Sequence, residues 1–236
     1  MPELSSPVNI WSHFQGEGKR YGFTGSHGRH AHLIRMIERF SASRSPVVLN
    51  VGIGDGNLER EGLRRGWKMV SLDPDEQAVQ AISATGASGE VGSIAIMPFP
   101  DLSFDFVVAS EVLEHLSSDE RHRALRGIER ALKPGGRLLG TVPWEENLDL
   151  SQRVCPQCSH VFHRWGHTTS FDLDSMRSEL SVVFDDVICY RAALVEFAGR
   201  SLRGKLKSAV RWILGRFGAP IAVPSLVFIA QKKPGN

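Results

Sequence analysis

Val47-Val48-Leu49-Asn50-Val51-Gly52-Ile53-Gly54-Asp55-Gly56 decides the fold, and Val70-Ser71-Leu72-Asp73 answers it a short helix later. The opening run is β-branched and aliphatic without periodicity, which reads as a strand buried on both faces of a parallel sheet. Three glycines at alternate positions end it, a turn in which backbone can approach a ligand that a Cβ would push away. Residues 57–65 read as a helix closed by Gly66, and 67–72 as a second strand that stops on Asp73. An acid at the tip of the second strand, about 20 residues past a glycine turn, stands where a parallel α/β sheet grips ribose hydroxyls. The first third of the chain therefore reads as an adenosine-type cofactor site.

A dinucleotide fingerprint, G-x-G-x-x-G/A, requires a small third residue where this chain has Asn57; its third glycine comes one place early, at Gly56. Gly-x-Gly-x-Gly closing a strand, followed by Leu72-Asp73, resembles the first two motifs of class I S-adenosylmethionine (SAM)-dependent methyltransferases of the type 11 domain. The resemblance continues through Gly92-Ser93-Ile94-Ala95-Ile96-Met97-Pro98-Phe99-Pro100-Asp101, a strand at 104–109, Ser110-Glu111-Val112-Leu113-Glu114-His115-Leu116 and Lys133-Pro134-Gly135-Gly136-Arg137-Leu138. It runs unbroken over 47–142, which sets the dinucleotide alternative aside. It implies a Rossmann-like α/β fold, a doubly wound, mostly parallel seven-stranded sheet with an antiparallel last strand. It also implies that Gly52, Ile53, Gly54, Gly56, Asp73, Pro74, Ser93, Ile94 and Ser110 bind SAM. Two positions depart from the pattern. Ser93 stands where the family commonly has Asp toward the adenine amino group, and Asn50 where Asp usually precedes the glycine turn.

The chain has 236 residues, 42% of them hydrophobic and 23% charged, enough to bury the core of one α/β domain. The net charge of +2 hides an asymmetry. Eight of the 28 Lys/Arg, and none of the 26 Asp/Glu, lie after Glu196, which leaves the first 196 residues net acidic. No basic-then-apolar leader opens the sequence, and no apolar run reaches the ~18 residues of a spanning helix, so the cytoplasm is the expected compartment. The expected layout is an N-terminal lid and helical segment over 1–46, then a SAM-binding domain over 47–236. The latter contains an insertion at 148–170 and a basic amphipathic helix at 202–217. That helix is read as capping the sheet edge or touching an anionic membrane surface.

The insertion holds Cys155, Cys158, His163 and His167, a Cys-x2-Cys-x4-His-x3-His spacing suited to a structural tetrahedral zinc. The other reading of these residues is thiols and histidines lining an acceptor pocket. Three cysteines in all do not make a disulfide framework. Because the sulfonium is already a strong leaving group, positioning matters most, and a general base serves only a hydroxyl or protonated amine acceptor. Glu111, His115 and Glu145 are the candidates near the sheet's C-terminal edge. The expected activity is methyl transfer from SAM to a small-molecule or a sugar- or lipid-linked acceptor. The alternatives are a nucleic-acid- or protein-directed methyltransferase and a non-catalytic SAM-binding scaffold. The acidic first 196 residues argue against phosphate backbones as partners.

Overall fold

The computed structural model describes residues 26–195, 203–204, 206–210 and 224–234. Helix α1 (Ser26–Phe40) leads into β1 (Val47–Val51), α2 (Asn57–Arg64), β2 (Lys68–Asp73), α3 (Glu76–Ser83) and β3 (Ser88–Val91). After β4 (Phe104–Ser110) come a 3-10 turn (Leu113–His115), α4 (Ser118–Ala131) and β5 (Leu132–Pro143). The chain then forms a small hairpin, β6 (Gln152–Val154) and β7 (Val161–His163), followed by α5 (Leu173–Ser181), β8 (Asp186–Ala192) and β9 (Ser225–Gln231).

Seven strands form one sheet in the order β3-β2-β1-β4-β5-β9-β8. Pairings from β3 through β5 are parallel, whereas β9 runs antiparallel to both β5 and β8. The expected antiparallel last strand is therefore present, and it lies inside the sheet between β5 and β8. The strand order reverses at β1/β4, the switch point where open α/β sheets bind ligands beyond their carboxyl ends.

Alternation along the central strands feeds two cores. Leu49, Val51, Val107, Leu138 and Phe228 point to one face and pack under α4 and α5 through Leu125, Ile128, Met176 and Leu180. Val48, Phe106, Val108, Leu139 and Ile229 point to the other, under α1, α2 and α3 through Leu33, Ile37, Leu58 and Val79. The helix starts follow capping chemistry. Asp75 caps α3 through the Gln77 N–H, and Ser117 and Glu120 form a capping box on α4. At α5 the cap is Asp172, boxed with Ser175.

Of the basic helix expected over 202–217, residues 203–204 and 206–210 are described and are helical; the rest lies outside the described residues, as does most of 1–46. Leu206 and Val210, expected on its apolar face, are exposed, while Ser208 is buried. Among the described residues no helix is long and apolar enough to cross a membrane.

Gly140 is where β5 accommodates its neighbour. A Cβ there would sit 2.1 Å from the Ala109 carbonyl oxygen and 2.2 Å from the Phe228 ring. The Ala109 contact is to backbone, so no rotamer change relieves it. Gly140→Ala is expected to destabilise by roughly 3 kcal/mol, the upper range of overpacking, measured by urea unfolding.

Candidate functional site

The carboxyl edge of β1, β2 and β4 assembles the site around the glycine turn. Gly52, Gly54 and Gly56 all hold positive φ, at 81°, 57° and 67°. The Gly52 N–H donates to the Leu72 carbonyl, which fixes the turn to β2. A Cβ on Gly54 would meet nothing within 4 Å, so this glycine borders open space. Gly56 instead backs onto Ile82 of α3 and Arg60. Asp73, 2% exposed, accepts the Ile53 N–H at 2.8 Å with one oxygen and the Asp75 N–H at 2.9 Å with the other.

Behind the turn lies a network that accounts for the substitution at position 50. Asn50 donates to the Gly52 carbonyl and to Glu59 of α2, and the Ser71 hydroxyl donates to the same Glu59 oxygen at 2.8 Å. The carboxylate that the family pattern carries on β1 is here supplied from the helix above it. Burial pushes the Glu59 carboxyl above its ordinary value against the pull of the Asn50 and Ser71 hydrogen bonds.

The start of α1 closes over this edge. The Ser26 hydroxyl donates to Asp55 at 2.8 Å, and the His30 ring meets the Asn57 amide at 3.2 Å. Burial lowers the His30 pKa to about 4, so the ring is neutral there. The N-terminal lid expected over 1–46 lies largely outside the described residues, which begin at 26.

Beyond β3, Ile94 is buried, while Ser93 is exposed and its hydroxyl accepts the Ala95 N–H. Pro74 is exposed beside Asp73. At the end of β4, Ser110 shares a 2.9 Å hydrogen bond with Thr141 of β5. Thr141 in turn donates to the Glu111 carboxylate, which lies 3.8 Å from the Arg29 guanidinium of α1.

Two of the three candidate bases occupy strained backbone. Glu111 has φ 58° and Glu145 has φ 46°, at the exits of β4 and β5. A non-glycine residue in this region costs of order 1–3 kcal/mol, and such residues concentrate at functional sites. Glu145 is exposed; Glu111 is half-buried and belongs to the hydrogen-bonded chain. His115 lies in the 3-10 turn, and burial lowers its pKa to about 3, which keeps the ring neutral.

The structure does not bring Cys155, Cys158, His163 and His167 to one point. In the β6/β7 hairpin Gln152 pairs with His163 and Val154 with Val161, so His163 sits at the base. Cys155 and Cys158 lie in the tip, where the Cys155 N–H donates to the His160 carbonyl and the Ser159 N–H to the Cys155 carbonyl. Among the described residues the groups close enough to share an ion include His163 and His167 but neither cysteine. The histidines turn inward to acids that spacing does not single out. His167 bonds Glu146 through Nδ1, His163 Nε2 lies 3.5 Å from Glu146, and the His115 and His167 rings meet edge to face at 4.6 Å. Glu114 is 0% exposed beside them, and burial reinforced by Glu111 raises its pKa well above the ordinary range.

Against this geometry the comparisons with known proteins can be set. Residues 49–140 match the family model described as a methyltransferase domain. Over this segment the chain is similar to methyltransferase domains. A protein of Encephalitozoon cuniculi named as a methyltransferase is 32% identical over 119 residues, 50% of this chain and 54% of its own length. The ubiquinone/menaquinone biosynthesis C-methyltransferase of Escherichia fergusonii is 30% identical over 160 residues, 61% of this chain and 63% of its own. The chain thus spans between about half and two thirds of these relatives. Among solved structures, a Burkholderia thailandensis 1,6-didemethyltoxoflavin-N1-methyltransferase with bound 1,6-didemethyltoxoflavin and S-adenosylhomocysteine superposes with a TM-score of 0.66 at 16% identity, covering 99% of this chain and 93% of that one. A SAM-dependent methyltransferase of Methanosarcina mazei gives 0.61 at 17%, covering 85% and 98%. At these identities the superpositions establish the fold.

The Glu59 network has a testable pH signature. With its folded pKa raised, the favourable contribution of protonated Glu59 is fully present below the unfolded value and is lost as pH rises through the folded one. At neutral pH the buried carboxylate is therefore a cost. Glu59→Gln keeps an oxygen for Asn50 and Ser71 and removes the charge. Its melting temperature should exceed that of the unsubstituted protein at about pH 8, and the gap should close toward about pH 4.

Proposed function

We propose that the chain is a SAM-dependent methyltransferase that transfers the methyl group to a small-molecule acceptor or to one linked to a sugar or lipid. The observation that carries the reading is the open face of Gly54 beside the Asp73 carboxylate at the sheet's switch point. A ligand with a ribose diol and a chain lying along a bare glycine backbone fits there. Gly52, Ile53, Gly54 and Gly56 would line its methionine side, Asp73 and Pro74 its ribose, Ser93 and Ile94 its adenine, and Ser110 the approach to the methyl group. The Burkholderia neighbour, which has a small molecule and S-adenosylhomocysteine bound, supports both the cofactor and the acceptor class.

In this reading the protein's work is alignment. Donor and acceptor are held for in-line displacement, and a fixed geometry supplies most of the rate. Glu111 is the residue best situated to take a proton from an acceptor hydroxyl or ammonium. Thr141 and Arg29 hold its carboxylate at the exit of β4, and its backbone is committed to that position.

Titration calorimetry with SAM and S-adenosylhomocysteine tests the proposal. The unsubstituted chain should bind both. Gly54→Val should abolish binding with the circular dichroism spectrum retained, because its side chain enters open space and not the core. Asp73→Ala should weaken binding by about 1.5–3 kcal/mol, the loss of a charge-assisted hydrogen bond. Folded protein that binds neither ligand would overturn the reading.

A further inference from the structure

Five ionisable side chains meet where the 3-10 turn after β4 touches the segment after β7. Glu114, His115 and His167 bring one ligand atom each within 4.8 Å of one another, and so do Glu146, His163 and His167. The first trio lies deeper. Both carboxylate oxygens of Glu114 are buried without a hydrogen-bond partner, although its backbone carbonyl accepts the N–H groups of Thr168 and Thr169. A carboxylate enclosed in this way calls for a cation or a proton.

The surrounding hydrogen bonds sort ligands from supports. His115 Nδ1 lies 3.2 Å from the Gly166 carbonyl, which only an N–H can satisfy, so the ring's lone pair lies on Nε2, the atom that faces the cluster's side of the ring. His167 Nδ1 faces the Glu146 carboxylate, which likewise puts the lone pair on Nε2. A carboxylate behind a histidine is the arrangement that fixes the tautomer of a metal-bound imidazole. His163 differs. Its Nδ1 accepts the N–H groups of Trp165 and His167, so its proton belongs on Nε2 and the ring has no lone pair to spare.

We infer that Glu114, His115 and His167 form a binding site for a divalent first-row transition metal, zinc foremost, with Glu146 and the Gly166 carbonyl as positioning groups. Two imidazoles and one carboxylate suit such ions and leave coordination positions open. The ion would pin the 113–115 turn to the 163–169 segment and neutralise the acids crowded at the exit of β4. Cys155 and Cys158 take no part. The site stands on these residues alone, whatever the chain methylates.

The full chain, purified without a polyhistidine tag and stripped with a chelator, is titrated with Zn2+ and Co2+ in a calorimeter and by absorption. One ion per chain is expected, and the Co2+ spectrum should carry no thiolate-to-metal charge-transfer band. Glu146→Gln should weaken Zn2+ binding by about 10- to 100-fold. Glu114→Gln and His167→Ala should weaken it further, and the Cys155→Ser/Cys158→Ser double variant should leave it unchanged. Circular dichroism reports whether each variant is folded; should Glu114→Gln fail to fold, the partly exposed Glu146→Gln carries the test. A thiolate charge-transfer band, loss of the ion in the double cysteine variant, or substoichiometric uptake by the folded unsubstituted chain would overturn the assignment.

Discussion

The Asp73 carboxylate couples the two strands on which the site is built. One oxygen receives an N–H from the glycine turn after β1, and the other an N–H from the cap of α3. Three glycines at positive φ have little intrinsic reason to hold one conformation, since each is the freest residue type in the unfolded chain. Their order comes from outside the turn: Asp73 and Leu72 on one side, Asn50 and Glu59 behind, and Asp55 tied to α1 above. A buried acid thus serves as a structural anchor for the turn.

The same economy recurs at the neighbouring edge. Ser110, Thr141, Glu111 and Arg29 form a chain that spans β4, β5 and α1, so three elements must be in register for Glu111 to hold its orientation. Just beyond it the polypeptide turns through Leu113–His115 and meets the segment following the hairpin. Acids thereby accumulate on one side of the sheet edge. The glycine turn combines backbone amides with the Asp73 carboxylate, and the opposite rim combines carboxylates with imidazoles.

Much of this was legible in the sequence because it is local. The hydrophobic run at 47–51, the alternate glycines, the Asp73 tip and the Ser117 capping box depend on neighbours a few residues away. Contiguous pattern therefore gave the mostly parallel sheet and its antiparallel last strand. The cysteine and histidine spacing misled for the same reason. Residue count along the chain says nothing of the strand pairing that places Cys155 and His163 at opposite ends of a hairpin. Glu114 and Glu146 were invisible as site residues because their meaning lies in burial and in partners about 21 to 54 positions away, which no periodicity records. Nor does spacing disclose that Glu111 and Glu145 have left-handed backbone; a glutamate carries no propensity for it, so only tertiary constraint can impose it.

The position of β9 bears on how the molecule is made. It is the last described strand in the chain, yet it lies inside the sheet, bonded to β5 on one side and β8 on the other. During synthesis β1 to β5 can pair as they emerge, but β8 has no place in the sheet until 225–231 leave the ribosome. Until then the open edge of β5 and the apolar faces of Leu226, Phe228 and Ala230 have no partners. A nascent chain with a long unpaired edge is the form most open to intermolecular pairing. Its dwell time is set by translation across residues 192–231 and not by the stability of the finished fold.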